Sequence, residues 1–196
     1  MKEIFMIRKN YRSAIVASFL AGPFSLGIIG TVAHGSSFEV DNLEASFTDG
    51  EIAGVINAFN QQIVDAGNLA AKSARNIKLV DYAKSMVTEH QTITAEFNGV
   101  LNAASIKAQD SSTRAGILAD GLRDMATLKL LSGESFDKQY LHQQIKFEEH
   151  LIELLDTGLM TSATNPELKN YLTGLRTKAA TFLANAQALE PEVGIL

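Results

Sequence analysis

The sequence predicts an all-α fold: an antiparallel four-helix bundle, ferritin-like, with a short extra helix in the connection between the second and third long helices. Apolar residues recur at helical spacing through four long segments. Ala, Leu, Lys, Gln and Glu are abundant, while the chain holds only 3 Pro and no Trp, a composition that favours helix. No segment alternates apolar and polar residues as a half-buried strand would.

The first element precedes the bundle. MKEIFMIRKNYR is basic, SAIVASFLAGPFSLGIIG is apolar, and Thr31, Val32 and Ala33 are small. That order is the pattern of a secretory signal peptide, assigned to residues 1–33, with Met6 as an alternative start. Pro23 and several glycines weigh against a retained membrane anchor. Cleavage after Ala33 would leave His34 at the N-terminus, where its amine and imidazole together could chelate copper. Cysteine is absent from the whole sequence, so neither a thiol-linked lipid anchor nor a disulfide can form. Removing the signal takes away Lys2, Arg8, Lys9, Arg12 and Glu3. The remainder is more acidic than the full chain, whose net charge is −5, and this balance argues against nucleic acid as a partner. An envelope protein or a second copy of the chain is the kind of partner left open.

Residues 34–47 read as a flexible lead-in, and the bundle domain is assigned to 48–189 with a C-terminal tail at 190–196. Thr48 and Glu51 form a capping box, and Ile52, Ile56, Phe59, Ile63, Ala66 and Ala70 mark the first helix, to about Ala74. The second, about Ile77 to Ala104, carries Leu79, Ala83, Met86, Ile93, Phe97, Val100 and Leu101. A smaller helix follows at about Arg114 to Leu131. Ser135 is placed to cap the third long helix, Phe136 to about Leu159. Asn165 caps the fourth, with Pro166 in its first turn, where a missing N–H costs nothing. Its inner face is Leu168, Leu172, Leu175, Ala179, Phe182 and Ala186.

Advancing about 100° per residue places three polar groups on these inner faces. His90 falls in the middle of the apolar arc of the second helix. Glu148 and Gln144 lie near the centre of the arc of the third, whereas His142 and Glu149 face away and His150 lies outside the edge. A carboxylate in an apolar arc must find a partner or lose its charge, and His90 is the partner on offer. The structural reading is a buried His–Glu pair that fixes helix register, with Gln144 and Tyr140 completing its hydrogen bonds. If Glu148 is ionised there, it would raise the pKa of His90. The chemical reading is a divalent transition-metal site on His90 and Glu148. The chain has no Glu-x-x-His, which di-iron bundles require, and no Gly-x-Ser-x-Gly, phosphate loop, dinucleotide fingerprint or His-Glu-x-x-His.

The stretches DGEIAGVINAFNQQIVDAGNLAAKSA, VDYAKSMVTEH, LSGESFDKQYL and NPELKNYLTGLR, in that order over about residues 48–189, resemble domain of unknown function family 4142. The resemblance implies an exported bacterial helical bundle of the periplasm or outer envelope; members often carry an outer-membrane-protein label. It implies no established activity. The family pattern has an acidic residue at Ile63 and at Gln144, and histidine at Glu148 and near Phe182. The chain departs from each of these and keeps His90. The leading expectation is therefore an exported, non-catalytic cell-envelope protein with a structural or binding role and a residual His90–Glu148 pair. The alternative is a metal-binding or oxidative-stress bundle that uses those two residues.

Overall fold

The structure is a computed structural model and describes residues 46–194. The expected signal peptide and nearly all of the lead-in lie outside the described residues. Among the described residues the regular elements are all helical: α1 (Asp49–Ser73), α2 (Ile77–Ala103), α3 (Ser112–Lys129) and α4 (Gly133–Leu154). A π-helical turn, Leu155–Leu159, and a last short turn, α5 (Met160–Ser162), prolong α4. Then come α6 (Pro166–Gln187) and a 3-10 turn, Pro191–Val193.

Local chemistry sets most of the helix starts. The Thr48 hydroxyl accepts the Glu51 N–H at 3.1 Å and the Glu51 carboxylate accepts the Thr48 N–H at 2.9 Å, so the capping box is complete. Side chains of Asn76, Ser111 and Asn165 cap α2, α3 and α6 in the same manner. The start of α4 differs from the expected one. It begins at Gly133 after Ser132, not at Ser135, and the Ser132 side chain makes no cap hydrogen bond. Gly133, at φ +58°, takes the left-handed turn into the helix. The first turn is then supported by the Glu134–Lys138 ion pair at 2.7 Å, which places a carboxylate at the positive end of the helix.

Contacts between helices fix their directions. Asn60 meets His90, while Gly67 lies against Ala83 and Val87, so α1 and α2 run antiparallel. On α3, Arg114 lies by Gly54 and Gly121 by Gln62, so α3 runs back alongside α1. Phe59 meets Phe147 while Gly67 lies by the Tyr140 hydroxyl, and α4 is therefore antiparallel to α1. Across α2 and α6, His90 meets Phe182 and Phe97 stacks on Tyr171. The connection holding α3 thus returns the chain to the end from which α2 started.

Carboxylates tie two helix starts to other elements. Asp137, 3 % exposed on α4, accepts the backbone N–H groups of Arg75 and Asn76 at 2.9 and 2.8 Å. Asp49 at the start of α1 accepts the Thr164 hydroxyl and the N–H groups of Thr164 and Asn165. Burial alone would raise the Asp49 carboxyl, but these three donors outweigh it and hold the group below its ordinary value. The segment after 189 also packs: Val193 is buried, and the Asn76 amide donates to the Glu192 carbonyl at 2.8 Å.

The loop between α2 and α3 lies directly on α1. Gln109 donates its N–H to the Gly50 carbonyl at 2.8 Å, and a Cβ on Gly54 would sit 2.0 Å from the Gln109 carbonyl oxygen. Backbone cannot yield as a flexible side chain does. Gly54→Ala should therefore destabilise the fold by about 1–3 kcal/mol in urea unfolding. Gly99→Ala, where nothing lies within 4 Å, should be neutral or stabilise by up to about 1 kcal/mol. Equal effects at the two positions would mean that the loop does not rest on α1.

Candidate functional site

The bundle core is not continuous. One apolar cluster gathers Ile52, Ile56 and Phe59 with Ile93, Phe97, Leu151, Leu172 and Leu175. The other gathers Ala70, Leu79, Ala83, Phe136, Leu141 and Ala186. Along every long helix the boundary between them falls at the same level. Asn60 on α1, His90 on α2, and Gln144 and Glu148 on α4 lie there, all at most 2 % exposed. Phe182 of α6 closes the fourth side, its ring 5.2 Å from the His90 ring.

The expected inward set is where the helical wheels put it. His90, Gln144 and Glu148 are buried, and His142, Glu149 and His150 are exposed. His90 and Glu148 face one another, but His90 Nε2 lies 3.7 Å from Glu148 Oε1, longer than a hydrogen bond. The hydrogen-bonding partner of His90 is instead Asn60, whose carbonyl oxygen lies 2.9 Å from Nδ1. An amide oxygen only accepts, so Nδ1 carries the proton and Nε2 is the atom turned toward Glu148. Gln144 and Tyr140 do not complete the pair's hydrogen bonds as expected. Both Gln144 amide atoms and the Tyr140 hydroxyl have no protein partner. The same holds for Asn60 Nδ2, His90 Nε2, the Tyr82 hydroxyl and both Glu148 carboxyl oxygens.

Electrostatics follow from that geometry. Burial pushes the Glu148 carboxyl above its ordinary value, and His90 only partly opposes it. No protein donor lies within hydrogen-bonding reach of it to stabilise the charged form. Burial also raises the phenols of Tyr82 and Tyr140, which therefore remain donors. The pair is expected within hydrogen-bonding reach, and the two groups instead face each other at 3.7 Å without joining. The Tyr82 and Tyr140 hydroxyls, the Asn60 amide nitrogen, the Gln144 amide, one imidazole nitrogen and the carboxyl are thus the buried polar atoms that lack a protein partner. On the surface beside this level, α2 and α6 leave a groove of about 310 Å³ whose lining includes Tyr82, Met86, Glu89, Lys178 and Phe182.

Asn60 is the residue that periodicity reading missed. It lies four residues after Ile56 and three before Ile63, on the apolar stripe of α1, and that position was the available signal. A second groove, between α3 and α4, mixes Asp120, Asp124 and Glu153 with Arg123, Lys146 and His150. Among the described residues no three His, Asp or Glu side chains are grouped to hold a metal ion.

The raised Glu148 carboxyl makes stability depend on pH. The folded group keeps its proton to higher pH than the unfolded group, so the native state binds more protons between the two values. Stability therefore falls as pH rises through that window. Glu148→Gln removes the titration. Its stability relative to the parent should grow as pH is raised from below 4.5, the ordinary carboxyl value, toward neutrality. Parallel stability curves for the two proteins in chemical denaturation would contradict the assignment.

A solved structure with a similar fold is the crystal structure of a DUF305 protein from Streptomyces coelicolor, described as secreted. It superposes with a TM-score of 0.61 at 14 % identity, over 74 % of this chain and 92 % of that one. At that identity the likeness is one of fold alone. No curated protein matches the chain. Residues 37–189 match the domain of unknown function DUF4142. The chain belongs to the DUF4142 family.

Proposed function

We propose that this is an exported, non-catalytic binding protein of the cell envelope that holds a small polar guest at the waist of its bundle. The observation that carries the reading is the set of eight buried polar atoms without a protein partner, contributed by Asn60, Tyr82, His90, Tyr140, Gln144 and Glu148. Leaving such an atom unpaired costs about 1–3 kcal/mol. A purely structural polar layer would be expected to close its own hydrogen bonds, as the Asp137 and Asn165 caps do. Export is supported by the basic, apolar and small-residue order of residues 1–33 and by the secreted description of the DUF305 protein. It is compatible with the described residues, none of whose helices is long and apolar enough to cross a membrane. The periplasm or the outer envelope is the proposed location.

One observation favours a second reading, a bundle that binds a divalent transition metal through His90 and Glu148. Histidines that ligate a metal through one ring nitrogen commonly donate the other N–H to a carbonyl or carboxylate, and His90 Nδ1 does so to Asn60. Its Nε2 then faces a carboxyl at 3.7 Å, a separation that two ligands of one ion can have. Gln144 Oε1 and a tyrosine hydroxyl are the further oxygen donors in the layer.

Native mass spectrometry of protein recovered from the periplasm, with metal analysis of the same sample, tests both readings. The expected result is a non-covalent adduct that is lost on unfolding and is missing from the His90→Leu/Glu148→Met variant. An organic mass supports the first reading and one equivalent of metal supports the second. Parent and variant with identical, adduct-free masses would overturn both and leave the layer as structure only. Protein found with residues 1–33 retained in the inner-membrane fraction would overturn export.

A further inference from the structure

On the opposite flank of His90 from α6, α1 and α2 enclose a groove of about 480 Å³. It is lined by Asn57, Asn60, Gln61, Gln91, Thr94 and Asn98, with Val64 as its one apolar residue. Five carboxamides and a hydroxyl thus line it, with no charged and no aromatic side chain. On each helix they follow the three- and four-residue steps that keep side chains on one face. Asn57 to Val64 and Gln91 to Asn98 each span about 10 Å at the α-helical rise.

Gln61 donates its amide N–H to Asp65 Oδ1 at 2.9 Å, and two further groups are committed in a way that sets what the groove can recognise. Asn60, 2 % exposed, has its carbonyl oxygen engaged by His90 Nδ1–H, which fixes the amide plane and leaves Nδ2 as an unpartnered donor. Thr94 donates its hydroxyl proton to the His90 carbonyl at 2.8 Å and so offers lone pairs only. A phosphate or carboxylate would find no cation here, and an ammonium group would find no anion. An uncharged ligand carrying both donors and acceptors matches. Sugars have that balance, but no aromatic face lines the groove for a sugar ring to stack on. A peptide unit, with one N–H and one C=O, pairs with a carboxamide through both.

We propose that this groove binds the backbone of an uncharged polypeptide segment in extended conformation. At about 3.3 Å per residue, roughly three residues fill its length. Recognition runs through the main chain, so the side chains of the segment are constrained only to be uncharged. This site rests on the amide row of α1 and α2 and shares only Asn60 with the bundle waist.

The test is nuclear magnetic resonance of the side-chain amide groups in isotopically labelled protein as isolated from cells. The probes are N-acetyl-tetra-alanine amide, tetraglutamate, tetralysine and tri-N-acetylchitotriose. Saturable shifts are expected with the capped tetra-alanine, confined to the Asn57, Asn60, Gln61, Gln91 and Asn98 amides. The Asn57→Ala/Asn98→Ala variant changes residues outside the buried core, and its binding should weaken at least tenfold with unchanged helical circular dichroism. If that variant misfolds, Gln91→Ala provides the same comparison. No saturable shift, equal binding of the charged peptides, the trisaccharide binding in place of the peptide, or unweakened variants would each overturn the proposal.

Discussion

A helix bundle is stabilised by closing apolar stripes against one another, at about 25 cal/mol for each Å² of apolar surface removed from water. A polar atom set into that seam loses its water and must be repaid by a partner. In this protein one level of the seam carries buried polar groups from α1, α2 and α4, with Phe182 on the fourth side. The two apolar clusters stop short of each other, and Asn60, His90, Gln144 and Glu148 occupy the level between them. Of the possible contacts within that level, only His90 to Asn60 is made at hydrogen-bond length. Burial raises the Glu148 carboxyl above its ordinary value, and His90 only partly opposes it.

The remainder of the fold can be understood as holding that level in place. Large side chains fill the core above and below it, with Phe59 and Phe97 in one cluster and Phe136 and Leu79 in the other. The helix ends are fastened by charged or polar contacts that span elements: Asp137 to the start of α2, Asp49 to the start of α6, and Asn76 to the segment after α6. The bidentate Arg176–Asp156 pair joins α6 to the π-helical turn on the surface. Surface pairs of this kind contribute little individually. The Asp137 and Asp49 contacts matter more, because each satisfies backbone N–H groups that a helix start leaves without intrahelical partners.

Helical periodicity was a sufficient guide to the elements because every long helix has one buried face. The stripes led by Ile52, Leu79, Phe136 and Leu168 were legible from spacing, and so was the inward position of His90 and Glu148. Relations between helices were not. A wheel places a side chain on a face but carries no information on its reach, so it put His90 and Glu148 opposite each other without the 3.7 Å gap between them. Asn60 escaped notice because an amide on an apolar stripe carries no charge to flag it. Ser135 is not the cap of α4 because Gly133 takes a positive φ and admits the chain one turn earlier, which the sequence does not reveal. The anchoring role of Asp137 depends on α2, some sixty positions away, and no local pattern encodes it.

Burial beside His90 raises the Glu148 carboxyl, and the 3.7 Å gap keeps the two groups from joining as an ion pair. Infrared difference spectroscopy at neutral pH, comparing the protein with Glu148→Gln, reads the protonation state of that carboxyl directly. A protonated-carboxyl C=O stretch, shifted by deuterium exchange, is expected in the parent and should disappear in the variant. Loss of only a carboxylate band in the variant, with no protonated band in the parent, would contradict it.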